Sequence, residues 1–136
     1  MTGESFRLPF SIQNVYQGLA EAGGIISVRQ EGLLLEFQVK DSFLGGLIKA
    51  KPRELLLRYT DIESIVTKSN IFRTVLKIRT HTLAAVADLP NSDRGEITLH
   101  LKRADRERAA QLVSRANLRI SELRLSESER LGLYED

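Results

Sequence analysis

Apolar residues recur at every second position over most of this chain, and at helical spacing only once, near its end. Leu33, Leu35, Phe37 and Val39 alternate with Glu36, Gln38 and Lys40, and Ile97, Leu99 and Leu101 alternate with Glu96, Thr98, His100 and Lys102. Because successive side chains on a strand point to opposite faces, this pattern predicts strands with one oily and one wet face. The same reading places strands at 25–28, 54–59, 62–66, 72–79 and 82–87, which makes seven between Gly24 and Arg103. On the strand after Asn70, Phe72, Leu76 and Ile78 are expected to face inward, opposite Arg73, Lys77 and Arg79. Reversals are expected at Arg29-Gln30-Glu31-Gly32, with Gly32 at positive φ, at Thr60-Asp61, where the Asp61 side chain would cap, and at Ser69-Asn70. An eighth extended piece, Phe6 to Val15, keeps Phe6, Leu8, Phe10 and Ile12 in step, and Pro9 would push it to a sheet edge.

From Asp105 the period changes. Ala109, Leu112, Val113, Ala116, Ile120 and Leu123 form one stripe of a helix about 15 to 20 residues long, with Asp105 as N-cap and Glu107 in the first turn. Ser126 to Asp136 either extends this helix or frays. The predicted fold class is therefore mainly β with one C-terminal α-helix: a partly open barrel of about seven antiparallel strands, capped by the helix. With 136 residues there is room for one domain, read as a core over 24–123, an N-terminal extended segment over 1–23 and an acidic tail or helix extension over 124–136.

Cysteine is absent, which excludes disulfides and sulfur-ligated zinc and fits a reducing, cytoplasmic setting. No run of 18 apolar residues occurs, and the first residues lack the pattern of a signal peptide. Charge is nearly balanced, 20 Lys+Arg against 18 Asp+Glu, but unevenly spread. Lys40 to Arg79 carries nine basic and four acidic residues, whereas Ser121 to Asp136 carries five acids and two arginines. The basic middle is either a solvated surface or a guide for an anionic partner.

The segment Leu55-Leu56-Leu57-Arg58-Tyr59-Thr60-Asp61-Ile62-Glu63-Ser64-Ile65, the strand Val75-Leu76-Lys77-Ile78-Arg79 and the passage Lys102-Arg103-Ala104-Asp105-Arg106 into the helix resemble the pleckstrin-homology-like superfamily, particularly short bacterial PH and GRAM-type domains. The resemblance covers roughly residues 24 to 123. It implies two near-orthogonal antiparallel sheets closed by a helix, and a role in binding lipids, peptides or proteins. In phosphoinositide-binding members cations cluster in the first hairpin. The loop read as its counterpart, Arg29 to Gly32, holds one basic and one acidic residue, and a multiply charged head group needs several converging donors.

The most unusual stretch is Asp41 to Arg53, which combines Phe43, Leu44, Leu47 and Ile48 with Lys49, Lys51 and Arg53 around a Gly-Gly pair. Large apolar groups left in water forfeit about 1.5–3 kcal/mol each relative to burial, so these four should be covered. They either fold back onto the flanking strands, dock a protein partner or a second copy of the chain, or enter an anionic bilayer with the cations at its surface. Arg73, Lys77 and Arg79 lack the interleaved aromatics of a single-strand nucleic-acid platform, so no nucleic-acid partner is expected. His81 and His100 each stand alone, and no phosphate loop, His-Glu-x-x-His or nucleophile elbow is present; catalytic, metal and cofactor-binding residues are all expected to be none. The expected function is a non-enzymatic interaction domain for a protein partner or itself, the alternative being peripheral binding to anionic phospholipid through the 41–53 loop.

Overall fold

The computed structural model describes residues 6–15, 20–41, 51–87, 89 and 94–132. Its strands are β1 (Arg7–Val15), β2 (Ala20–Val28), β3 (Gly32–Asp41), β4 (Arg53–Arg58), β5 (Ile62–Ser69), β6 (Thr74–Thr80) and β7 (Glu96–Leu101), followed by the helix α1 (Arg106–Arg130). All pairings are antiparallel, in the order β4-β3-β2-β1-β7-β6-β5. Two well-paired groups, β1–β4 and β5–β7, meet at a single bridge, Ser11 opposite His100.

Connectivity forces this sheet to curl. Laid flat, seven strands spaced about 4.8 Å apart would hold β4 and β5 about 29 Å from each other. Only Tyr59–Asp61, one turn of 3-10 helix, joins them, and four Cα steps reach at most about 15 Å. Six antiparallel steps also leave β4 and β5 running in the same sense, and parallel neighbours cannot be linked by so short a turn. The two edges therefore approach at a corner without pairing, and the result is a partly open barrel.

The open corner is where α1 packs, against β5 and the Tyr59–Asp61 turn. Ala109, Leu112, Ala116 and Ile120 are buried there, with Val113 and Leu123 packed alongside, so the predicted stripe is the stripe that enters the core. The helix is longer than its apolar pattern required, because its last turns, to Arg130, run on beyond the buried stripe. Asp105 is the N-cap residue by position, yet its side chain makes no capping hydrogen bond and sits 3.9 Å from Arg108 instead.

Three other expectations change. Phe6 to Val15 supplies a full strand, β1, paired on both sides, and its Leu8, Phe10 and Ile12 are buried in the core. Thr82–Ala87 is not a strand: Ala84–Val86 forms a 3-10 turn that drops Val86 into the core. That exchange keeps the strand number at seven and makes β1/β2 the first hairpin, whose connection over 16–19 lies outside the described residues. Gly32 is not at positive φ, since among the described glycines only Gly95 and Gly132 are. Its requirement is space: a Cβ there would overlap Leu57 O and lie 2.8 Å from Arg58 Cα, where the paired strand β4 comes close.

The helix end is stitched by polar contacts as well as packing. The buried Tyr59 hydroxyl donates to Arg29 O at 2.7 Å, and burial raises the pKa of this phenol, with Arg119 opposing. Arg119 reaches Gln30 O at 3.4 Å, and Arg108 and Arg115 lie over the Phe6 ring at 5.3 and 4.9 Å. Arg58 pairs with Glu31 at 3.4 Å. At Asp61 it is the backbone carbonyl that is used, accepting from His81 N at 2.9 Å.

Candidate functional site

The seam between β1 and β7 is the second place where the sheet opens. Proline has no N–H to give a ladder, and the β1–β7 pairing does not continue from Ser11 towards Pro9. Pro9 thus sits in the middle strand of the sheet and not at the edge its sequence implied, with no pairing partner on its β7 side. The gap is a cleft of about 380 Å³ lined by Pro9, Phe10, Ser11, Gln13, Arg73, His100, Leu101 and Lys102.

Register explains why these side chains meet. His100 faces outward from β7 between buried Leu99 and Leu101, opposite Ser11 on β1 and Val75 on β6. One step along that outer face lie Arg73, just before β6, and Lys102, just after β7. The described cleft lining carries two permanent cations and no carboxylate. His100 Nδ1 is buried without a hydrogen-bond partner. Burial first, and the Arg73 guanidinium second, hold its imidazole below the ordinary histidine range.

Beside the cleft, the β5–β6 turn presents two large apolar side chains to water. Ile71 is 72% and Phe72 79% exposed. This corrects the inward placement of Phe72: β6 begins at Thr74, so its inner row starts there and Phe72 belongs to the turn. The turn is nevertheless well braced. Asn70 Oδ1 accepts from Phe72 N at 2.8 Å and Arg73 N at 2.9 Å, and Arg103 Nε donates to Asn70 O at 3.2 Å. Ser69 and Thr74 hydroxyls share a 2.8 Å hydrogen bond beneath it. An Asn at the first turn position bonding amides two and three residues on is what its short amide side chain does well.

Of the residues singled out in 41–53, Phe43, Leu44, Leu47, Ile48 and Lys49 lie outside the described residues. Lys51 and Arg53 are exposed, and Arg53 lies over Phe37 at 5.6 Å. Along the sheet, β3, β2, β1 and β7 separate them from the β5–β6 turn. Of the outward row on β6, Arg79 is taken up by Glu96 at 3.0 Å, whereas Arg73 faces the cleft. His81 lines a smaller recess under α1 with Tyr59, Thr60, Ile62, Ile120, Leu123, Arg124 and Glu127. The recess beneath the helix and the seam cleft are both partly polar, so each histidine stands beside a cleft.

The seam was missed by sequence reasoning because the pairing of β1 with β7 spans some 90 residues. Its one legible signal was Pro9 inside an alternating run. Among the described residues no group of three His, Asp or Glu is placed to hold a metal ion, and no helix is long and apolar enough to cross a membrane. Comparison with known proteins found no matching family model, no matching curated protein and no matching solved structure.

Proposed function

We propose that the chain is a non-enzymatic, PH-like interaction domain that docks a protein partner at the β5–β6 turn. The observation that carries the reading is the exposure of Ile71 and Phe72 on a turn already held in shape. Burying each of them would return about 1.5–3 kcal/mol, and a braced turn loses little entropy on docking. An aromatic flanked by arginines is also the composition of interface hot spots. Lys68, Arg73, Lys102 and Arg103 flank the tip, so the partner is expected to offer an apolar socket with an acidic rim. Catalysis finds little support in the seam, because a histidine base needs a second group to orient it, and Nδ1 of His100 has none.

The same flank of cations favours one second reading, peripheral attachment to an anionic bilayer with Ile71 and Phe72 in the headgroup layer. Ile71→Ser/Phe72→Ser distinguishes them. Immobilised wild type should retain a protein that the double variant loses, with unchanged thermal unfolding and no pelleting on phosphatidylserine vesicles. Salt-sensitive pelleting that the variant abolishes would replace the protein reading by the membrane one. Equal retention of every partner by both chains would overturn the assignment of the tip. A second copy of the chain is tested in the same way, by sedimentation over a hundredfold concentration range.

A further inference from the structure

We propose that the β1–β7 cleft is a binding site for a small phosphate monoester, an anion seated between Arg73 and Lys102 with its organic part along Pro9. This goes beyond the docking role of the β5–β6 tip: it shares the cations Arg73 and Lys102 with that reading but makes no use of Ile71 and Phe72.

Four observations converge on it. The cleft is built by topology, where among the described residues a single bridge joins β1 to β7 and Pro9 cannot extend the ladder. At about 380 Å³ it is within the size range of small-molecule sites and several times larger than inorganic phosphate alone, so a bare ion would leave most of it unfilled. Its described lining is charged in one sense only, with Arg73 and Lys102 unopposed by any carboxylate. His100 lines the cleft beside these cations, and its buried Nδ1 has no hydrogen-bond partner in the chain.

The chemistry selects the charge. Two fixed cations match a dianion better than a monoanion, because a carboxylate would neutralise one and leave the other facing a like charge. Arginine also offers paired N–H donors that fit two oxygens of one phosphate, with the lysine as a mobile point charge beside it. Ser11, directly opposite His100, places a hydroxyl on the β1 wall. Pro9 supplies an apolar wall on the same side, which suits an aryl or alkyl body rather than a second charged group.

Phenyl phosphate is the probe, with benzoate as the monoanion and phenol as the neutral body, each titrated into the full ¹⁵N-labelled chain and followed by amide shifts. Saturable shifts in the millimolar range are expected at Ser11, Arg73, His100 and Lys102, with benzoate several-fold weaker and phenol without effect. Lys102→Gln should weaken phenyl phosphate about tenfold and Arg73→Gln/Lys102→Gln should abolish it, while Ile71→Ser/Phe72→Ser should leave it unchanged. Absent shifts, shifts centred on the His81 recess, benzoate binding as tightly as phenyl phosphate, or undiminished binding by the folded double variant would each overturn the proposal. Loss of binding in the Ile71→Ser/Phe72→Ser variant would show that the cleft is not independent of the tip.

Discussion

Among the described residues the barrel is open in two places, and the two openings are lined in opposite ways. At the β4–β5 corner the gap is plugged with oil: Leu112, Ala116 and Ile120 of α1 are buried against β5 and the Tyr59 turn. At the β1–β7 seam, among the described residues, no helix plugs the gap, and Arg73, His100 and Lys102 line it beside Pro9, Phe10 and Leu101. A gap that serves only stability is best closed with side chains that lose water gladly. A gap left lined by cations, one of which lies near a buried and unpaired imidazole nitrogen, is poor architecture unless something binds there. The contrast sets the corner that holds the fold against the seam proposed as its binding site.

The difference is broken most forcefully at the plug. Leu112→Ala removes a fully buried side chain from the corner and should cost about 2–5 kcal/mol in denaturant unfolding, with the spread set by how far α1 can settle. Gly32→Ala comes next: its Cβ would meet Leu57 O and the Arg58 backbone, neither of which can swing aside, so about 1–3 kcal/mol of destabilisation is expected. A smaller effect runs the other way. Ser27 is fully buried on β2 with an Oγ that has no partner in the chain, so Ser27→Ala should be neutral or stabilising by about 1 kcal/mol.

At the seam the readout is pH. His100 has its pKa lowered in the fold by burial and by Arg73, so protonation favours the unfolded chain. Its contribution to stability is therefore complete above about pH 6.5 and is lost progressively as pH falls below that value towards the depressed folded pKa. His100→Gln should flatten the decline of the melting temperature on the acid side of pH 6.5 and leave the alkaline side unchanged. An acid limb identical to wild type would mean that the ring is not held neutral.

How much of this was legible follows from the range over which each feature acts. The inward rows Leu33-Leu35-Phe37-Val39 and Ile97-Leu99-Leu101, and the helix stripe from Ala109 to Ile120, are local periodicities, and they fold as their spacing dictates. Helix closure of an open barrel was likewise readable, since an amphipathic helix must find an apolar surface. Phe72 was misplaced because alternation does not mark where a turn gives way to its strand: the Asn70 turn holds Phe72 and Arg73, and β6 begins two residues later than hydrophobicity suggests. Gly32 was assigned to backbone conformation when its reason is the close approach of its partner strand β4, which only the register reveals. The seam cleft joins residues 9–13, 73 and 100–102, and no spacing along the chain announces that.

The most direct test of the binding-site claim is the melting temperature of Arg73→Gln/Lys102→Gln. If these cations are kept for a ligand, removing them relieves mutual repulsion with Lys68 and Arg103, and the melting temperature should stay level or rise by a few degrees. A fall of more than about 4 °C, on the order of 1 kcal/mol for a chain of this size, would contradict the account and make the seam a structural element like the helix-filled corner.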